Sequence, residues 1–85
     1  MREELSRSQA MIEFIYTGLR SSLGILFLDF EKRFQEPFIS GPRGREIEGL
    51  IQGGFLENLK DRAGIRATSR GWRLLDEVVG RISAY

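Results

Sequence analysis

Basic side chains are the residues of this chain best suited to do chemistry, and they fall into two sets. Lys60, Arg62 and Arg66 lie on or beside a predicted β-hairpin, and Arg43 and Arg45 open the helix that precedes it. Placed so, they could touch the phosphates of a nucleic acid, the first three from a wing and the last two from a recognition helix. Glu46, Glu48, Glu57 and Asp61 are interspersed among them and would repel phosphate. A solvated surface of mixed charge accounts for the same residues without a partner, and a net charge of +1 does not announce nucleic acid. The second set is a single residue, Arg20, which closes Gly18-Leu19-Arg20 ahead of a short polar loop to Gly24. Its rigid fork suits a carboxylate or phosphate. Capping the carbonyl end of a helix, or pairing with a nearby acid, would employ it equally well.

What is missing narrows the function more. The 85 residues hold no cysteine, so the chain offers no disulfide, zinc cluster, iron–sulfur ligand or thiol nucleophile. They hold no histidine either, which removes the commonest general base and nitrogen metal ligand. Any metal site would have to be built from carboxylates, and the 12 acids are scattered among 13 bases. Catalytic residues and metal ligands are therefore both expected to be none. No apolar run approaches the roughly 20 residues that span a bilayer, and no signal-like stretch follows the polar Met1-Arg2-Glu3-Glu4, so a cytoplasmic location is expected.

The elements that would position the basic residues read as one domain over residues 1–85. Ser6-Arg7-Ser8-Gln9 is a capping box, with Leu5 and Ala10 as its hydrophobic staple. Met11, Phe14, Ile15, Gly18 and Leu19 then share one helical face, where Gly18 allows a close neighbour. A second helix is predicted from about Leu26 to Phe34, burying Phe27, Phe30 and Phe34 with Ile25 and Leu26. Pro37 and Gly41-Pro42-Arg43-Gly44 read as loop around the apolar anchor Phe38-Ile39. The third helix follows over about Arg45 to Gln52, with Ile47, Leu50 and Ile51 inward, and Gly53-Gly54 ends it. Phe55–Leu59 and Ile65–Thr68 read as strands joined by a polar turn. Thr68 or Ser69 caps a last helix in which Trp72, Leu75, Val78, Val79 and Ile82 keep the helical period, so Trp72 is expected to be largely buried. The fold class is α+β, mostly helical and winged-helix-like: three helices, a two-stranded wing and a C-terminal helix.

Two further patterns have plainer readings than the chemistry they suggest. The rings of Phe14, Phe27, Phe30, Phe34, Phe38, Phe55 and Trp72 could stack on a porphyrin, but their helical spacing is that of a core. Thr68-Ser69-Arg70-Gly71 has one glycine and no lysine–serine continuation, and serves as a helix cap more simply than as a phosphate loop.

From Met11 to Ile82 the chain resembles the C-terminal domain of the oxygen-independent coproporphyrinogen III oxidase family, which includes related radical-SAM haem chaperones. The resemblance is carried by Leu5-Ser6 and Glu13-Phe14 before Gly18-Leu19-Arg20, by Gly24-Ile25, and by Phe30-Glu31-x-Arg33-Phe34. It continues in Leu50-Ile51-x-Gly53-Gly54-Phe55-Leu56, Ile65-x-Ala67-Thr68-x-Arg70-Gly71 and Leu74-Leu75-Asp76-Glu77-Val78. Leu26 departs from it, standing where the family often has an acid, and the Ser40-Gly41-Pro42 region is irregular. The resemblance implies an accessory part: in such proteins a separate barrel holds a [4Fe–4S] cluster on three cysteines and binds S-adenosylmethionine. The C-terminal domain packs beside that barrel and helps cover the substrate cleft.

The leading expectation is thus a non-catalytic domain in haem or porphyrin biosynthesis. Its partner is a radical-SAM barrel, in cis or in trans, and it also has access to porphyrin or haem. Arg20 is expected to make an interdomain or substrate-propionate contact. The alternatives are a winged-helix DNA-binding regulator using Arg43, Arg45, Lys60, Arg62 and Arg66, and a protein-interaction module. S-adenosylmethionine and the cluster are assigned to the other domain, and no cofactor is expected in this one. Reconstitution with iron and sulfide should accordingly leave the chain colourless, whereas a stoichiometric cluster spectrum would overturn that assignment.

Overall fold

A computed structural model describes residues 6–83 as five helices and a three-stranded antiparallel sheet. Helix α1 spans Arg7–Arg20, and the Ser6 hydroxyl accepts from the Gln9 amide at 3.1 Å, as the capping box requires. Its staple involves Leu5, which lies outside the described residues. Met11, Ile15 and Leu19 are buried along one face. Gly18 does admit a close neighbour: a Cβ there would stand 2.4 Å from Ile25 Cγ1.

Ile25 and Leu26 do not begin the second helix. They form strand β1 (Ile25–Leu26), and α2 starts one residue later, at Phe27–Phe34. The cause is the approach of the preceding loop to the sheet. Gly24, at φ +76°, sits where a Cβ would be 2.3 Å from the Ile65 carbonyl oxygen, so only glycine lets the backbone pass. Ile25 then pairs with Ile65 and Leu26 with Gly64. Helical periodicity and a two-residue strand both bury Ile25, and only the neighbouring strand distinguishes them.

Helix α2 ends at Gln35, whose backbone is left-handed at φ 61°, a conformation more often given to glycine. After Phe38 the chain turns into α3 (Gly41–Gln52). Residues 41–44 therefore form the first turn of α3 and not the expected loop. Pro42 is tolerated there because the amide it lacks has no partner inside the helix anyway. Strands β2 (Leu56–Asn58) and β3 (Gly64–Ala67) make the predicted hairpin, registered Leu56 to Ala67, Glu57 to Arg66 and Asn58 to Ile65. β1 adds to the free edge of β3, so the order is β1-β3-β2 and the two-stranded wing is widened to three strands. One core runs through the molecule, with Ile15, Leu19, Phe30, Phe38, Ile65 and Ile82 among its fully enclosed members.

The last helix is broken. Thr68 caps α4 (Ser69–Arg73) by accepting from the Gly71 amide at 3.1 Å, and Leu74, at φ −117° and ψ 36°, interrupts the helix before α5 (Leu75–Ser83). Leu75, Val78, Val79 and Ile82 are buried as predicted, but Trp72 is 45% exposed. On one unbroken helix Trp72 would share the face of Leu75 and Val79. The interruption changes the phase, and Gly71 faces inward in its place. A Cβ on Gly71 would fall 2.0 Å from the Phe55 carbonyl oxygen, so α4 lies against the backbone of the β2 entrance. Among the described residues no helix is long and apolar enough to cross a membrane.

These geometries give opposite outcomes for two glycine-related changes. Gly71→Ala should destabilise by about 3 kcal/mol, since the obstacle is backbone and cannot rotate away. Gln35→Gly should stabilise by about 1 kcal/mol by relieving a left-handed side chain. At roughly 4–8 °C per kcal/mol for a domain of this size, both changes are readable as midpoint shifts in thermal unfolding. A Gly71→Ala protein melting with the parent would contradict the packing of α4.

Candidate functional site

The six residues that the sequence nominates do not meet in one place. Arg43 is not at the surface at all: it is 4% exposed, and its guanidinium lies over the Phe30 and Phe38 rings at 5.2 and 5.6 Å. It donates to the Phe38 carbonyl at 3.3 Å and to Glu36 Oε2 at 3.4 Å, and it reaches the Pro37 carbonyl at 3.5 Å. Because α3 begins earlier than its periodicity suggests, Arg43 is turned into the aromatic core and is withdrawn from any nucleic-acid surface. Arg66 is exposed but spent on Glu57, its cross-strand partner. Lys60 and Arg62 border a groove with the loop Ser21–Gly24, together with Asp61, while Arg45 stands on α3 and lines no part of that groove. The continuous basic face that a DNA-binding reading needs is not assembled.

Arg20 is placed differently. It is the last residue of α1, exposed, with its guanidinium 5.6 Å from the centre of the Tyr16 ring one turn earlier. Cation–π contact uses the face of the guanidinium and leaves the N–H edge available. Both residues line an open cleft of about 580 Å³ whose other wall is the α4–α5 junction: Trp72, Arg73, Leu74 and the first turn of α5. Arg20 and Arg73 make no ion pair among the described residues. Asp76 and Glu77 also reach this wall, and Glu77 lies 3.7 Å from Arg81.

Sequence reasoning singles out Arg20 but not the residues that share its cleft. Trp72 was assigned to the core on its spacing, and Arg73 carried no signal. The break at Leu74, which exposes both, follows from how α4 seats on the sheet and has no mark in the local sequence.

Among the described residues no group of three or more His, Cys, Asp or Glu could hold a metal ion. With neither cysteine nor histidine in the sequence, an iron–sulfur cluster finds no ligands here.

Comparison with known proteins adds a decisive observation: the model of the HemN C-terminal domain family matches residues 5–74. The chain belongs to the HemN C-terminal domain family. No curated protein and no solved structure matches it. As a HemN C-terminal domain it is of the coproporphyrinogen-oxidase type, as its resemblance implies. The match takes in α1 through α4 and ends at Leu74. Helix α5 lies beyond it, yet this HemN domain draws four core residues and part of one wall of its cleft from there.

With Arg43 buried and Arg66 paired, three bases remain of the five proposed for DNA. Titration of labelled duplex should show binding weaker than about 10⁻⁴ M at physiological salt, the weak end of non-specific association. Micromolar binding that falls steeply with salt and is lost in an Arg45→Ala/Arg62→Ala variant would restore the regulator reading.

Proposed function

We propose that this HemN C-terminal domain is a non-catalytic accessory module that packs on a radical-SAM barrel and shapes access to its porphyrin cleft. The barrel contributes the cysteines for a [4Fe–4S] cluster and the site for S-adenosylmethionine; this chain contributes surface. The observation that carries the reading is the family match over residues 5–74, joined to a sequence with no thiol or imidazole for the chemistry. The exposed Arg20–Trp72 cleft supports it, because half-buried aromatics beside arginine are the residue types that concentrate binding energy at interfaces. Within this reading Arg20 contacts either the barrel or a propionate of the substrate. The parent is an oxidase of coproporphyrinogen or a haem-chaperone relative.

The experiment is to mix the chain with a HemN-type barrel deprived of its own C-terminal domain and follow association by sedimentation. A one-to-one complex is expected, weakened about tenfold by Arg20→Ala, equivalent to about 1.4 kcal/mol, and unchanged by Arg45→Ala. No complex with the barrel would refute the accessory role.

A further inference from the structure

Two surfaces on opposite faces of the β-hairpin have complementary contents. The first is a groove of about 320 Å³ between α3 and the core face of the sheet. Phe27, Ile39, Ile47, Ile51 and Ile65 line it, and Glu48 is its only ionisable lining residue. Arg45, one turn earlier on α3, does not reach it. Ile39, 43% exposed, is the most exposed of the apolar members, yet it is seated on α3: a Cβ on Gly44 would stand 3.3 Å from Ile39 Cγ2. Glu48 is exposed and makes no ion pair among the described residues. The result is an apolar socket with one negative charge beside it.

The second surface is a projection. Leu23 is 79% exposed, the most exposed large apolar side chain among the described residues. Its loop is a hydrogen-bonded turn: the Leu23 amide donates to the Ser21 hydroxyl at 3.0 Å and the Gly24 amide to the Ser21 carbonyl at 3.1 Å. Lys60 and Arg62 line the same groove as Leu23, exposed and without ion pairs among the described residues. Asp61 between them leaves the turn one net positive charge, and Asp29 reaches this groove from α2. Strand alternation separates the two surfaces. Asn58 and its cross-strand partner Ile65 line the socket, whereas Leu59, next along the chain, lines the Leu23 side with Leu26.

We propose that these surfaces are the two halves of a head-to-tail contact between copies of this chain. Leu23 of one copy enters the groove between α3 and the sheet of the next, and Lys60 and Arg62 approach Glu48. A copy cannot join its own two halves, because they lie on opposite faces of the hairpin. The hydrogen-bonded turn and the seated Ile39 keep the ordering cost of the contact low. Since projection and socket are different patches, a pair still offers one of each, and association continues beyond two copies. Its electrostatic part lies at the surface and is screened by salt. Neither half shares a residue with the Arg20–Trp72 cleft, so the contact goes beyond the accessory reading and leaves that cleft open.

The test is sedimentation of the full chain over a wide range of concentration, at low and at high salt. The weight-average mass should climb with concentration past that of a dimer, and climb less at high salt. Leu23→Ser and Glu48→Lys should each weaken association about tenfold, equivalent to about 1.4 kcal/mol. Glu31→Lys, the same change on an exposed acid outside both grooves, should leave it as it is. Lys60→Glu/Arg62→Glu should weaken it too, and adding Glu48→Lys to that pair should restore it. The decisive arm mixes Leu23→Ser, which keeps the socket, with Ile39→Asp, which keeps the projection. Each should associate weakly alone, and the mixture should form a one-to-one pair that grows no further. All the substituted side chains are exposed, so the variants should melt with the parent. A parent that is monomeric at every concentration would overturn the contact. So would association indifferent to Leu23→Ser and Glu48→Lys, or a mixture no heavier than its components. The accessory role, tested on the barrel, stands apart from all three results.

Discussion

A positive charge inside an aromatic core is the feature around which the helical half of this domain is organised. Removing a guanidinium from water costs several kcal/mol unless its donors find acceptors. Arg43 finds them in the connection between α2 and α3, on the Phe38 carbonyl and on Glu36, while the Phe30 and Phe38 rings cover its faces. Glu36 also receives Arg7, at 3.1 Å, and Arg7 donates to the Phe34 carbonyl, so the start of α1 is tied to the same connection. Three helices are thereby fixed to one short segment, residues 34–38. That explains why a non-glycine residue is held left-handed at Gln35: the chain must turn there for Phe38 and Arg43 to meet. Phe30, in edge-on or tilted contact with Phe14, Phe34 and Phe38, is the apolar counterpart of the same junction.

On the sheet side the governing constraint is close approach of backbones. Gly24 passes over β3 and Gly71 presses on the entrance to β2, each with no room for a Cβ. Thr68 reinforces the second contact by donating to the Gly54 carbonyl at 2.6 Å while capping α4. These two contacts decide where α1 ends relative to the α4–α5 junction, and so create the cleft between them. A cleft made in this way has a helix on each wall, with the buried Leu75 among its lining residues.

That arrangement fits the proposed role, in which the domain presents a surface to a partner. Arg20, Tyr16, Trp72 and Arg73 lie at one end of α1 and across from it, while the five bases considered for nucleic acid are divided: Arg43 on α3 is buried, Arg66 is paired, and Arg45 stands apart from Lys60 and Arg62. In the accessory role proposed for this HemN C-terminal domain, Arg20, Trp72 and Arg73 are the exposed side chains that the cleft presents.

The sequence by itself determined the class of the domain, its family and most of its core. Periodic apolar positions mark α1, α3 and α5 because a helix buries every third or fourth residue whatever surrounds it, and the Gly-Leu-Arg and Thr-x-x-Gly spacings carry the kinship. Capping boxes are likewise local, and the Ser6 and Thr68 caps are found where the residues predict them. Tertiary structure alone decided the fates of Arg43, Ile25 and Trp72. An arginine three residues into a helix is a surface residue unless aromatic rings and carbonyls distant along the chain close over it. A buried Ile25 fits helix or strand until β3 supplies an edge. Trp72 keeps helical spacing with Leu75 and Val79, yet the contact of Gly71 with Phe55 breaks the helix between them and turns the indole outward, because two backbones in contact leave no freedom to preserve the phase.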